Sequence, residues 1–281
     1  MADVSAKEVA ALRKMTGAGM MDCKKALEES GGDMQAAQDW LRERNLSGAA
    51  KRAGRAAQQG AIDVVAGDDV GVILELTCET DFVAKGTDFK ALVSRLARQV
   101  AEKGADDVDV QAFDGGTVGE AITQLSGKIG EKIELGRVVR FESPDGVLDA
   151  YRHVQNERGV IGVLVELGGV DRNDTGAREV AHDVALHIAN SAPRWLSRDD
   201  VPAEDVEKER AVLEAQTRQE GKPEQALTKI VEGKLGGFFK ANCLVDQPFV
   251  KDPKVTVGAL VAGLGGDACI RRFARVKIAE D

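Results

Sequence analysis

The chain has 281 residues, 43% of them hydrophobic and only 4% aromatic, with 38 basic against 47 acidic side chains and a formal charge of −9. That length suggests two or three modules, with Ala, Val, Leu and Ile doing most of the packing. The acidic balance argues against non-specific binding to nucleic acid or to an anionic membrane. No run approaches the roughly 20 apolar residues of a membrane span, and the start lacks a basic-then-apolar leader pattern. Cys23, Cys78, Cys243 and Cys269 form no Cys-x-x-Cys pair, and read as reduced, mostly buried thiols of a cytoplasmic protein.

Residues 1–45 read as three short helices. Ser5 is the expected N-cap of the first, with Glu8 at the capping-box position. Thr16-Gly17-Ala18-Gly19 breaks it near Met15. The second carries Met20, Met21, Cys23, Ala26 and Leu27 and ends at Gly31-Gly32, and Asp33 caps a third through Trp40 and Leu41. Three small helices with a glycine loop between the first two resemble a ubiquitin-associated-type domain. Residues 46–59, with Lys51, Arg52 and Arg55 among alanines, read as a solvated basic linker helix.

Two later stretches look alike. In residues 60–147, alternation at Ile62, Val64 and Val65, a turn at Gly67-Asp68-Asp69 and a strand from Gly71 to Cys78 precede an amphipathic helix. Phe89, Leu92, Val93, Leu96 and Val100 line that helix. In residues 148–202, Ala150 to Val154, a turn near Asn156-Glu157 and Val160 to Leu167 precede a helix with Val180, Val184, Leu186 and Ile188. Gly71-Val-Ile-Leu-Glu-Leu76 aligns with Gly162-Val-Leu-Val-Glu-Leu167, which indicates a duplicated hairpin plus helix; chance likeness of two apolar strands is the competing account. The fold class expected is α+β, with two related core subdomains built on antiparallel sheets. Residues 203–240 read as a protruding helical (coiled-coil) hairpin broken at Gly221-Lys222-Pro223. Residues 241–281 complete the second subdomain and a C-terminal module, with a helix at Val257 to Leu264 and a strand from Arg271 to Ile278.

The residues carrying chemistry are few. Gly17-Ala18-Gly19 and Gly263-Leu264-Gly265-Gly266 lack the strand before and the Lys-Ser/Thr after that a phosphate loop needs. His182 and His187 are five apart, not the i, i+4 spacing of a metal pair, and neither a nucleophile–base pair nor aromatics interleaved with basic residues are evident. No catalytic residue, metal or cofactor is expected. What remains is Glu79-Thr80-Asp81-Phe82-Val83-Ala84-Lys85, directly after a strand. Alternation would send Asp81 and Phe82 to opposite faces, and a turn would project both outward toward a partner. The alternative that serves the fold alone makes Asp81 a helix cap and Phe82 buried. The equivalent junction of the second copy, Gly168-Gly169-Val170-Asp171, has no aromatic. An adaptor that holds a helical partner through the N-terminal helices and a metal-dependent hydrolase are the other functional classes weighed; the second lacks ligand spacing.

Leu12-Arg-Lys-Met-Thr-Gly-Ala-Gly-Met-Met-Asp-Cys-Lys-Lys-Ala-Leu27 and Thr80-Asp-Phe-Val-Ala84 resemble the two signatures of the bacterial elongation factor Ts family, nucleotide exchange factors of elongation factor Tu. Lys128-Ile-Gly-Glu131, Tyr151-Arg-His153, Gly221-Lys-Pro223 and Gln247-Pro-Phe249 match in order, so the resemblance spans nearly the whole chain. It implies an exchange factor that is not an enzyme and needs no cofactor. Thr80, Asp81, Phe82 and Val83 would enter the GTPase domain of elongation factor Tu and dislodge its Mg²⁺. It also implies docking through Arg13, Met20 and Met21, and a core interface at Ile129, Gly130 and His153. Two features differ from the family pattern: Gly236-Gly237-Phe238-Phe239 where many members are more basic, and a longer turn before Gly159.

Overall fold

Local capping sets the first element. The Ser5 hydroxyl accepts from the Glu8 amide while the Glu8 carboxylate accepts from the Ser5 amide, which starts α1 (Ala6–Thr16). Gly17, at φ 69°, supplies the left-handed C-cap. α2 (Met20–Glu29) and α3 (Met34–Arg52) follow, and the Asp33 side chain accepts from the Ala36 amide at 2.8 Å. Leu12, Cys23, Ala26, Leu27, Ala37 and Leu41 form a small core of their own. The structure, a computed structural model, describes residues 4–221 and 223–280; Lys222, part of the expected hairpin break, lies outside them.

The third helix does not end near Leu41. It runs on to Arg52, so Lys51 and Arg52 form its last turn rather than a separate linker helix, and Arg55 lies in the turn beyond it. Packing explains the extension. The Asn45 side chain sits where a Cβ on Gly127 would go, and Arg52 donates to the Ser126 hydroxyl at 3.1 Å. The N-terminal unit is thereby anchored on the core.

The first core unit holds β1 (Gln59–Ala66), β2 (Val70–Cys78), the one-turn α4 (Asp81–Lys85) and α5 (Thr87–Lys103). A small hairpin of β3 (Ala112–Phe113) and β4 (Gly116–Thr117) leads into α6 (Val118–Ile129) and β5 (Ile133–Glu142). The second unit has β6 (Val147–Gln155), β7 (Arg158–Gly168) and α7 (Thr175–Ser191). The antiparallel pair α8 (Ala203–Gln219) and α9 (Glu224–Asn242) comes next, then α10 (Val257–Ala262) and β8 (Cys269–Lys277). The sheets are β1-β2-β5 and β6-β7-β8, both antiparallel. Both therefore have the duplicated hairpin plus a third strand supplied from later in the chain.

Alternation along the strands builds a layered core. Val72, Leu74 and Leu76 of β2 pack under α5, and Val163, Val165 and Leu167 of β7 pack under α7. The opposite faces meet each other through Ile62, Ile73, Phe141, Leu148, Leu164 and Val276. The contacts are reciprocal: a Cβ on Gly71 would lie 3.0 Å from Leu164, and one on Gly162 would lie 2.7 Å from Ile73. In the repeat alignment Gly71 matches Gly162 and Ile73 matches Leu164, so the copies are related as the halves of a pseudo-twofold dimer.

Both copies bury a matching carboxylate on that face. Glu75 is 4% exposed and Glu166 3%. Arg137 grips Glu75 with Nε at 2.9 Å and its amide at 3.1 Å; Arg272, Arg271 and Ser143 grip Glu166 at 2.6, 3.1 and 2.7 Å. Burial pushes the Glu166 carboxyl up, but Ser143 and the two arginines outweigh it and hold it below its usual range.

Two smaller expectations change. α7 buries Ala177, Ala181, Val184, Ala185 and Ile188, while Leu186 is only half-buried. The turn before Gly159 is not long: Asn156 and Glu157, at φ 50° and 64°, make a two-residue turn. The extra residue is absorbed as a bulge at Val160, opposite His153 and Val154. At the end of β7, Gly169 has φ 68°, and a Cβ there would collide with the Asp267 carbonyl, so the segment before β8 covers this junction.

Candidate functional site

β2 delivers the chain to Thr80, whose extended backbone and hydroxyl cap α4; the hydroxyl accepts from the Val83 amide. A five-residue helix cannot hold itself together in water, so its ends and its buried side fix it. Ala84 is fully buried and Val83 packs against the first core. Phe82 is left 82% exposed, the highest value among the exposed large hydrophobic side chains of the described residues. Thr80, and not Asp81, is thus the cap, and the buried placement of Phe82 does not occur. The segment is a capped helical turn.

Asp81 is held from its own helix. The Lys85 ammonium donates to its carboxylate at 2.5 Å and also stands 5.8 Å from the centre of the Phe82 ring. That ammonium holds the Asp81 carboxyl below its usual range, and Arg158 on the β6–β7 hairpin adds to the effect. Beneath the turn, burial pushes the Cys78 thiol up to about 12, with the Glu131 charge acting in the same direction. Cys78 is therefore inert, a donor to the Thr80 carbonyl at 3.2 Å.

Ile129 and Glu131 line the same open depression, of about 500 Å³, as Thr80, Phe82, Val83 and Phe89. Gly130, at φ 86°, is the exposed left-handed C-cap of α6. Lys128, one residue before Ile129, pairs with Asp88 at 2.7 Å, and its side chain runs alongside Gly17 of the N-terminal unit. The α4 turn, the end of α6 and the first glycine loop are therefore contiguous. Met20 and Met21 are exposed on α2, with Met15 nearby in sequence and equally bare, and Arg13 is exposed on α1. His153 is exposed on β6, with Nδ1 3.2 Å from the Tyr151 hydroxyl, and Arg158 of its hairpin reaches the field of Asp81.

Sequence reasoning gave no role to Lys85, Glu79 or Glu131. The signal for Lys85 was its i, i+4 spacing from Asp81. Glu79 and Glu131 act across some fifty residues of sequence, so spacing carried no trace of them. Among the described residues, no group of His, Cys, Asp and Glu side chains could hold a metal ion, and no helix is long and apolar enough to cross a membrane.

Comparison with known proteins decides the family. A family model described as elongation factor TS matches residues 79–280, and so begins just before the α4 turn. The elongation factor Ts of Micrococcus luteus is 45% identical over 283 residues, covering 99% of each chain. That of Thermobifida fusca is 47% identical over 287 residues and the whole of both chains. The chain belongs to the elongation factor Ts family. Full-length coverage extends the likeness to the N-terminal helices, which the family model does not reach. Elongation factor Ts from the more distant Alkalilimnicola ehrlichii is 42% identical over 99% of this chain and 92% of its own. Membership in the elongation factor Ts family makes the chain a translation elongation factor of protein biosynthesis.

Proposed function

We propose that the chain is a cytoplasmic guanine nucleotide exchange factor for elongation factor Tu, acting by binding alone and not as an enzyme. The observation that carries this reading is Phe82, a large apolar side chain held in water on a capped, anchored helical turn. Burying such a side chain in a partner is worth roughly 1.5–3 kcal/mol. Thr80 to Val83 would enter near the partner's Mg²⁺ site. Mg²⁺ demands near-ideal octahedral geometry and keeps several waters, so a small displacement of its surroundings weakens nucleotide. Asp81 contributes charge there once it leaves Lys85.

The coupling is reciprocal: weakening of nucleotide by the factor equals weakening of the factor by nucleotide. Since about 1.4 kcal/mol is one factor of ten, burial of Phe82 alone cannot account for several orders of magnitude. Docking through Arg13, Met20, Met21, Ile129, Gly130 and His153 must supply the remainder. The proposed partner surface involves neither nucleic acid nor membrane.

Release of fluorescent GDP from elongation factor Tu on mixing with the chain tests the proposal. Acceleration is expected. With Phe82→Ala, complex formation with nucleotide-free elongation factor Tu should persist while GDP release slows by at least about tenfold, in line with loss of a buried aromatic contact. Release at the wild-type rate would remove Phe82 from the mechanism.

A further inference from the structure

The α4 turn is tied to the loop between α6 and β5 by a two-way clasp. One carboxylate oxygen of Glu131 accepts from the Thr80 amide at 3.0 Å and the other from the Thr80 hydroxyl at 2.6 Å. In return, the Lys132 amide donates to Glu79 at 2.6 Å. Arg55 adds a contact to Glu79 at 3.2 Å, and the Lys132 ammonium reaches back to the Arg55 carbonyl at 3.1 Å. The Ser126 hydroxyl pins the Glu131 carbonyl at 2.6 Å. The hydrogen bond from Lys132 is the leading reason that the Glu79 carboxyl lies below its usual range.

The proton inventory makes Glu131 specific. Thr80 has one hydroxyl proton, and it goes to Glu131; the oxygen's lone pairs then face the Val83 amide as the helix cap. Without Glu131 the hydroxyl can rotate, and the Thr80 amide loses its charged acceptor. The turn is too short to keep its shape unaided, and Phe82 is its second residue. We propose that Glu131 is the positioning residue of the exchange wedge: its carboxylate fixes the Thr80 cap and so aims Phe82 and Asp81. Glu131 acts through Thr80, and its loop, which begins at Gly130, couples the wedge to the end of α6. The inference rests on the exchange reading above.

The test compares Glu131→Ala, Glu131→Gln, Phe82→Ala and the Glu131→Ala/Phe82→Ala double variant. GDP release from elongation factor Tu is measured across factor concentrations, and amide hydrogen exchange is followed at Thr80, Val83 and Ala84. Glu131→Ala should lower the maximal release rate by about tenfold, the scale of one lost charge-assisted contact. The concentration for half-maximal rate should stay nearly unchanged. Amide protection at Thr80 and Val83 should fall while that of α5 and β2 stays. Glu131→Gln, which keeps one acceptor oxygen, should lie between Glu131→Ala and the parent, and it serves in place of Glu131→Ala should that variant fold poorly. In the Phe82→Ala background the Glu131 change should cost little further.

Normal release by both Glu131 variants, beside slow release by Phe82→Ala, overturns the positioning role and leaves the exchange reading standing. Fully multiplicative losses in the double variant also overturn it, since Glu131 would then act separately from Phe82. Normal release by Phe82→Ala instead removes the wedge itself.

Discussion

His187 is the most deeply buried histidine of the described residues, and its surroundings require it neutral. Its Nε2 meets the Gln247 side-chain oxygen at 2.8 Å, and its Nδ1 accepts from the Val250 amide at 3.2 Å. Burial pushes its pKa below the usual value. A proton on Nδ1 would set two donors against each other. With the folded pKa below the unfolded one, neutral His187 favours the fold fully above about pH 6.5, the ordinary value. That contribution declines as pH falls from there through the lowered folded value, because the unfolded chain takes up the proton first. Urea midpoints measured from about pH 7.5 down to about 5.5, a span bracketing that value, should therefore fall more steeply for the parent than for His187→Asn. Equal slopes would remove His187 from the pH response. At this scale the sequence was only partly readable. Ser5 and Glu8 announced their capping box, and Asp81-Phe82 announced an awkward pair. The cap that resolves the awkwardness, Thr80, depends on Glu131 at the far end of α6, and no local pattern reports such a partner.

Among the elements, α9 runs against its own helix propensity. Gly233, Gly236 and Gly237 lie within the helix, and a Cβ on any of them would meet nothing within 4 Å. Glycine in a helix interior costs roughly 0.5–1 kcal/mol relative to alanine. Gly236→Ala should accordingly raise stability by about that amount, read as a higher urea midpoint of unfolding. A fall would mean that the face is packed in solution. The hairpin itself was legible from Val206, Leu213, Leu227 and Val231, because a narrow apolar stripe is all that two helices need; Leu213, Leu227, Val231 and Leu235 are its buried core. α6 and β5 are less legible in the sequence. Thr117 and Glu120 form a capping box ahead of α6, and Asp114-Gly115, both at positive φ, make the β3–β4 turn, so usable signals were present. β5 offered less: it is an edge strand, buried mainly at Ile133 and Phe141 and half-covered between them, which blurs alternation.

Across the whole molecule, the duplication read from Gly71–Leu76 and Gly162–Leu167 is the framework of the core, and the glycines explain why those positions tolerate no side chain. Gly162 faces Ile73 and Ile62, with a Cβ placed at 2.7 and 2.8 Å from them. Gly162→Val should force the sheets apart and cost about 1–3 kcal/mol, the usual range for overpacking. Thermal unfolding should show a lower midpoint, and an unchanged midpoint would mean that the sheet interface is loose. Pattern matching could find the two copies, because each strand is local, but not their face-to-face contact, which depends on inner residues recognising their own counterparts.

The covered junction at Gly169 completes the picture. A duplicated unit begins with two equivalent strand ends. In this molecule one end displays Phe82, and the other is closed by the backbone at Asp267. Internal symmetry is therefore not carried to the surface: of two equivalent strand ends, one leaves an apolar side chain in water and the other does not.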